Sequence, residues 1–270
     1  MQAAGRPLRR SERMSAILAA LTESGSVHVG DLAERFAVSE ATLRRDLAML
    51  EEQRLLTRTH GGAVAQDLAY ELPVRYRSGQ QREAKRAIAA EAVTRVPAGP
   101  VVVGLTGGTT TSEVARQLSD RADLTIVTNA LNIAMDLVLR PRLKLIVVGG
   151  VSRPQSYELV GPWAEEVIAA INLGIAFIGV DGITAEGITT HDETEARTNR
   201  MLLGRAQRVV VVADGSKVGR IMLARIAPLQ NVHELVTDPS ADPDQLAAIR
   251  RAGVEVTVTR ELADSSFDPA

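Results

Sequence analysis

The stretch VSEATLRRDLAMLEEQRLLTRTHGGAV, residues 38–64, decides how this 270-residue chain is read. Ser39 stands where a hydroxyl can accept one of the free N–H groups at a helix start. Behind it Leu43, Leu47 and Leu50 recur at i, i+4 and i+7, an apolar stripe that predicts a helix over Ser39 to Gln53. At about 100° per residue, Ala41 and Arg45 fall opposite the leucines, with Thr42 and Arg44 on the flanks. Leu55 to His60 then lead into Gly61-Gly62, which predicts a two-stranded ribbon closed by a glycine turn.

Upstream, Met14, Ile17, Leu18 and Leu21 predict a helix over Ser11 to Glu23, stopped by Ser24-Gly25. Leu32, Ala33 and Phe36 predict a second helix over Val29 to Phe36, and Ala37-Val38 a tight turn. Three helices followed by a ribbon make a winged helix-turn-helix, the helix-turn-helix itself covering about residues 27–46. A helix in a DNA major groove needs donors for guanine edges and flanking donors for phosphate. Ser39, Ala41, Thr42, Arg44 and Arg45 line the exposed side of the third helix, and Arg58 and His60 on the ribbon would face phosphates or a minor groove. A three-helix domain with solvated arginines has the same periodicity, so periodicity alone leaves both readings open.

Charge does not separate them either. The formal net charge is −2, and residues 1–64 hold nine arginines against eight acidic residues. Placement says more: Arg6, Arg9, Arg10 and Arg13 cluster at the start, and Arg44, Arg45, Arg54 and Arg58 around the third helix. The combined string is more specific than any of these features. The S-x-x-T-L-R-R-D-L core and the R-x-H-G-G-A ribbon closely resemble the DNA-binding domain of the DeoR family of bacterial regulators. The resemblance implies a recognition role for Ser39, Thr42, Arg44 and Arg45. Arg54 departs from the glycine common in that family after the recognition helix, so a left-handed cap there is lost or strained.

Apolar residues make up 45% of the chain and aromatic residues only 3%, so the remaining core must be aliphatic, as suits buried parallel strands. There is no cysteine, which excludes disulfides, thiolate metal sites and cysteine nucleophiles. No apolar run reaches 18 residues and the N-terminus has no signal-peptide pattern, so a cytoplasmic protein without a membrane partner is expected. The expected organisation is a DNA-binding domain at 1–64, a linker at 65–82 around Pro73 and Gly79, a sensor domain at 83–262 and a tail at 263–270.

In the second domain a helix is expected over Glu83 to Val96, with Lys85 read as a solvated side chain. Beyond it apolar runs alternate with helical segments. Strands are expected at Val101 to Leu105, Leu124 to Val127, Leu143 to Val148, Ile175 to Val180, Val209 to Ala213 and Leu235 to Thr237, with Val254 to Val258 at an edge. Helices are expected at Ser112 to Leu118, Ala130 to Leu139, Trp163 to Ile171, Glu193 to Ala206 and Asp244 to Arg251. The economical topology is α/β, a doubly wound and mostly parallel sheet. Ligands of such sheets sit beyond the carboxyl ends of the strands. There the chain carries Gly107-Gly108-Thr109-Thr110-Thr111, Asn129, Gly149-Gly150, Asp181-Gly182 and Asp214-Gly215-Ser216-Lys217. The first of these can cradle a phosphate with its N–H groups or be an ordinary βα turn. It matches neither GxxxxGK[ST] nor GxGxxG, so ATP and NAD are not expected and no cofactor is assigned.

Lys217 offers a charge for a phosphate, while Asp181, Asn129, Glu193 and Glu195 offer acceptors for hydroxyls. His191 beside Asp192, Glu193 and Glu195 lacks the spacing of a metal site, and none is expected. Trp163, the single tryptophan, is read as core. GLTGGTTT (104–111), TNALNIA (128–134), GVDGI (179–183), THDETEA (190–196) and ADGSK (213–217) resemble the DeoR effector domain. That resemblance implies a fold related to ribose-5-phosphate isomerase and a repressor that binds operator DNA and is relieved by a phosphorylated sugar; since a single recognition helix reads one half-site, a homo-oligomer, dimer or higher, is expected. The alternative is a sugar-phosphate isomerase with a DNA-binding appendage; no assembled acid–base pair points to catalytic residues, and no enzyme is expected.

Overall fold

The computed structural model describes residues 8–65, 72–77, 79 and 81–260, without the side chains of residues 22 and 23. Arg6, linker residues 66–71 and the tail at 263–270 lie outside the described residues. The chain divides into two units, Met1–Gln80 and Gln81–Ala270.

The first unit runs α1 (Arg10–Ser24), β1 (Ser26–His28), α2 (Val29–Phe36), α3 (Glu40–Glu52), β2 (Thr57–Arg58), β3 (Gly62–Val64) and α4 (Val74–Arg77). Leu43, Leu47 and Leu50 are buried against Ile17, Leu18 and Leu21 of α1 and Leu32 and Phe36 of α2. A buried ion pair joins the same helices: Arg13 Nε donates to Asp46 Oδ2 at 2.5 Å, and the Asp46 side chain is 2% exposed. The ribbon has three strands rather than two, in the order β1-β3-β2. A three-residue strand between two helices is too short to show a period. Gly62 is where β3 crosses β1 most closely, since a Cβ there would lie 1.8 Å from the Val27 carbonyl oxygen. Part of the segment expected as a linker is built into this unit: Val74 and Tyr76 are buried, and the Tyr76 hydroxyl donates to Gln53 Oε1 at 2.5 Å.

α3 keeps its left-handed end. Arg54 has φ +57°, its N–H donates to the Glu51 carbonyl at 2.8 Å, and the Leu55 N–H reaches back to the Leu50 carbonyl at 2.9 Å. This is the two-bond helix terminator usually closed by glycine, here held by an arginine at a steric cost.

The second unit continues with α5 (Arg82–Val93), β4 (Val101–Leu105), α6 (Thr109–Leu118), β5 (Leu124–Thr128), α7 (Leu131–Leu137), β6 (Lys144–Val147), β7 (Val151–Arg153), β8 (Glu158–Val160), α8 (Pro162–Ala169) and β9 (Leu173–Ile178). Then follow β10 (Gly182–Thr184), β11 (Gly187–Thr190), α9 (Glu193–Gly204), β12 (Ala206–Val212), β13 (Ala224–Pro228), β14 (Glu234–Thr237), α10 (Pro243–Arg251) and β15 (Glu255–Val258). Seven strands pair in parallel in the order β15-β14-β12-β9-β4-β5-β6, with β15 at an edge. Both faces are covered. Ile175, Phe177, Val210 and Val212 pack with α5, α6 and α7, while Ala176, Ile178, Val209 and Val211 pack with α8, α9 and α10. Apolar side chains on both sides of each central strand explain why these strands read as unbroken aliphatic runs.

Several expectations need correction. α6 begins at Thr109, so Thr109–Thr111 form its first turn rather than a loop before it. The strand expected at Ile175 to Val180 lies at Leu173–Ile178, because the Gly179 N–H turns aside to the Thr106 hydroxyl at 2.9 Å. Two small sheets, β7-β8 and β10-β11-β13, stand beside the main one. Trp163 is not core: it is 70% exposed. The inward stripe of α8 is Ala164 and Ile168, and Trp163 and Val167 lie one residue earlier, about 100° away. Lys85 is not solvated: it shares the inward stripe of α5 with Ile88, Ala89 and Ala92, and its Nζ lies 3.7 Å from Asp214 Oδ2.

Replacing Asp46 with alanine leaves the Arg13 guanidinium buried without its carboxylate, and a loss of about 3 to 5 kcal/mol is expected in chemical unfolding of the first unit. A loss below about 1 kcal/mol, the scale of an exposed pair, would contradict the buried placement. Arg54→Gly is expected to raise stability by about 1 kcal/mol, as a higher midpoint in the same transition, by removing the Cβ strain of the left-handed cap.

Candidate functional site

On the first unit, the Ser39 cap turns the start of α3 into an exposed end. Its Oγ accepts the Thr42 N–H at 3.3 Å and lies 2.9 Å from the Thr42 hydroxyl, so the two expected polar contacts are tied to each other. Ala41, Arg44, Arg45, Arg58 and His60 are exposed, and Thr42 is half-buried. Arg44 donates to Glu40 at 2.7 Å, and Arg58 sits 3.8 Å from Glu51. Arg45 has no ion-pair partner among the described residues, which leaves its guanidinium whole for an outside acceptor. The two acidic neighbours were not anticipated, because i, i+4 pairing with Glu40 and a ribbon folded back over Glu51 emerge only once both elements are placed.

On the second unit, β4 and β9 are the neighbours at which the strand order reverses. Their two following loops open at the carboxyl end of the sheet, the usual crevice of a doubly wound fold. Gly107 and Gly108 follow β4; a Cβ on Gly179, after β9, would lie 2.6 Å from the Gly107 carbonyl oxygen. Thr106, fully buried, bridges the two loops through its hydroxyl. The N–H groups of Gly107 to Thr111 open α6, but Thr111 and Ser112 turn their hydroxyls back to the Gly108 carbonyl at 3.0 and 2.6 Å. The Thr111 hydroxyl is thus engaged within the turn itself.

Asp181 holds a cluster beside it. Its carboxylate accepts from the Thr190 hydroxyl at 3.1 Å, lies 2.9 Å from His191 Nδ1, and pairs with Lys217 Nζ at 3.5 Å. Glu195, buried, accepts from the same Thr190 at 2.6 Å and from Arg153 at 3.0 Å. Glu193, the other expected acceptor, is exposed on the outer side of α9, so Glu195 takes the inward place. Burial raises the Asp192 carboxyl, but the Glu195 N–H and the Arg153 guanidinium outweigh it and hold the group below its ordinary range. Asn129 lies deeper than expected: it is fully buried, its amide donates to Asn199 Oδ1 at 3.2 Å, and its own Oδ1 has no hydrogen-bond partner.

Gly150 and Gly182 serve the backbone. A Cβ on Gly150 would sit 2.8 Å from the Val160 carbonyl oxygen, and on Gly182 2.3 Å from that of Arg220; Gly149 is exposed. Arg153, Glu158 and Asn199 were not picked out by sequence. They sit on a short hairpin and mid-helix, with no motif spacing to mark them. Among the described residues there is no group of three or more metal-ligating side chains placed to hold an ion, and no helix long and apolar enough to cross a membrane.

Residues 13–68 match the family described as the DeoR-like helix-turn-helix domain, and residues 80–239 match the DeoR C terminal sensor domain. The chain is 37% identical to the putative aga operon transcriptional repressor of Escherichia coli O157:H7, covering 93% of this chain and 94% of that one. It is 32% identical to the glycerol-3-phosphate regulon repressor of Escherichia coli K12, covering 86% and 92%. Among solved structures, ribose 5-phosphate isomerase A of Methanocaldococcus jannaschii aligns at TM-score 0.36 and 18% identity, over 53% of this chain and 56% of that one. The relatives are regulators, and the alternative of an isomerase with a DNA-binding appendage gives way to them. The chain belongs to the DeoR family of DNA-binding transcription regulators, a DeoR-type helix-turn-helix followed by a DeoR C-terminal sensor domain.

Proposed function

We propose that this regulator is a repressor of carbohydrate-use genes that leaves its operator when a small phosphorylated sugar or polyol enters the cleft between the β4 and β9 loops. The observation that carries the proposal is the main-chain turn at Gly107–Thr111, opening α6 beside the Asp181–Lys217 pair. Free N–H groups at a helix start favour a phosphoryl group. Lys217 supplies a nearby cation, and Asp181 and Glu195 supply acceptors for hydroxyls. Glycerol 3-phosphate, named in one relative, is of this chemical class. On the DNA side Arg45 reads base edges, Arg44 and Arg58 contact phosphates once their glutamates release them, and Ser39 sets the helix start. One recognition helix per chain reads one half-site, so the working form is at least a dimer, acting in the cytoplasm.

Gel-shift titrations with glycerol 3-phosphate, ribose 5-phosphate, fructose 6-phosphate and their unphosphorylated counterparts test this. Only phosphorylated members should release operator DNA. Arg45→Ala is expected to lose about 1 to 3 kcal/mol of discrimination between operator and unrelated DNA. Lys217→Ala should bind operator as the wild type does, yet need roughly tenfold more ligand for half-release, the weight of one charge-assisted hydrogen bond. Weakened DNA binding in Lys217→Ala with an unchanged ligand response would refute the site assignment.

A further inference from the structure

One buried carboxyl, Glu158, lies against the Gly107–Thr111 turn, where the proposed function seats a phosphoryl group. β8 is stitched to the segment ahead of α7: the Leu131 N–H donates to the Tyr157 carbonyl at 2.9 Å and the Leu159 N–H to the Asn129 carbonyl at 2.7 Å. Tyr157 takes a left-handed conformation, φ +60°, which is costly for a tyrosine and persists where the surroundings impose it. The chain then delivers Glu158, 1% exposed, against the turn after β4. Its Oε1 accepts the Gly107 N–H at 2.5 Å, and a Cβ on Gly107 would lie 2.5 Å from Glu158 Cγ. The first donor of the cradle is therefore already spent on an internal acid.

The attachment is one that can be exchanged. The second partner, Asn199 Nδ2, is at 3.2 and 3.3 Å, longer than the bond to Gly107. Burial first, and the charge of Glu195 second, hold the Glu158 carboxyl well above the usual carboxylate range, against the Gly107 N–H, Asn199 and Arg153. The hairpin that carries it is a separate two-stranded sheet of three residue pairs, a length with little stability of its own. Arg153, opposite Glu158 in that hairpin, is clamped to Asp192 at 3.2 Å and to Glu195 at 3.0 Å at the start of α9.

We propose that Glu158 is an internal stand-in for the phosphoryl group of the effector: it occupies the Gly107 end of the cradle until a phosphorylated ligand takes that N–H and releases both Glu158 and the β7–β8 hairpin. Release of the hairpin withdraws Arg153 from Glu195 and Asp192, and the carboxylates at the start of α9 exchange it for the ligand's hydroxyls as its phosphate seats. The inference rests on the phosphorylated-ligand reading of the cleft.

Hydrogen–deuterium exchange on the full chain, with inorganic phosphate and with glycerol 3-phosphate at saturation, tests it without a substitution. Amides over Val151–Val160 should exchange at least tenfold faster, while those over residues 107–112 slow. Titration calorimetry adds two variants. Glu158→Ala should bind both probes roughly tenfold more tightly, and Glu158→Gln, which keeps an acceptor for Gly107, should stay within about threefold of the wild type. If the hairpin slows on binding, or Glu158→Ala binds no more tightly while Lys217→Ala still binds more weakly, the stand-in role is wrong and the cleft stands. If no phosphorylated compound binds the wild type at all, both fall.

Discussion

The sensor unit depends on the approach of two loops at the point where its strand order reverses. β4 and β9 lie side by side, and the chains leaving them pass so closely that a Cβ on Gly179 would strike the Gly107 carbonyl, while Glu158 fills the space a Cβ on Gly107 would need. Helices from the β4 side cover one face and helices from the β9 side the other, so the crevice between the loops cannot be closed by either layer. The 214–217 turn, which follows β12, opens on the same rim, and the start of α9 is brought to it by the small sheet β10-β11-β13.

The same unit shows how a fold with a near-neutral charge builds a charged site. Each cation of the rim has an acidic partner: Lys217 has Asp181, and Arg153 has Asp192 and Glu195. Such a site does not attract an anion by net charge. On the proposed reading it exchanges one set of partners for another, so binding energy and rearrangement would come from the same contacts. The exposed surface of α3 and the ribbon repeats the arrangement, with Glu40 and Glu51 paired to Arg44 and Arg58, while Arg45 has no ion-pair partner among the described residues. Its inner side is rigid for a different reason, the buried Arg13–Asp46 pair beside the leucine stripe.

Much of this was legible beforehand. Leu43, Leu47 and Leu50 located α3 with its cap at Ser39, since a helical stripe and a capping hydroxyl are local properties. Aliphatic runs located the central strands because side chains are buried on both faces. Strands of three residues, such as β1, β7 and β8, left no periodic trace, and Trp163 and Lys85 were misplaced by residue type. A tryptophan beside a helix start need not face inward, and a lysine on an apolar stripe can be buried when an aspartate from another loop meets it.

By itself, then, the sequence determined that a winged helix-turn-helix precedes a doubly wound sheet, and which turns lie at the carboxyl ends of its strands. Those are consequences of spacing along the chain. Only the tertiary structure decided which groups at those ends meet: Glu195 rather than Glu193 faces inward, Asn129 is buried, and Glu158 reaches Gly107 across 51 residues. Pairings at such separations depend on strand order and register, which no local pattern of residues encodes.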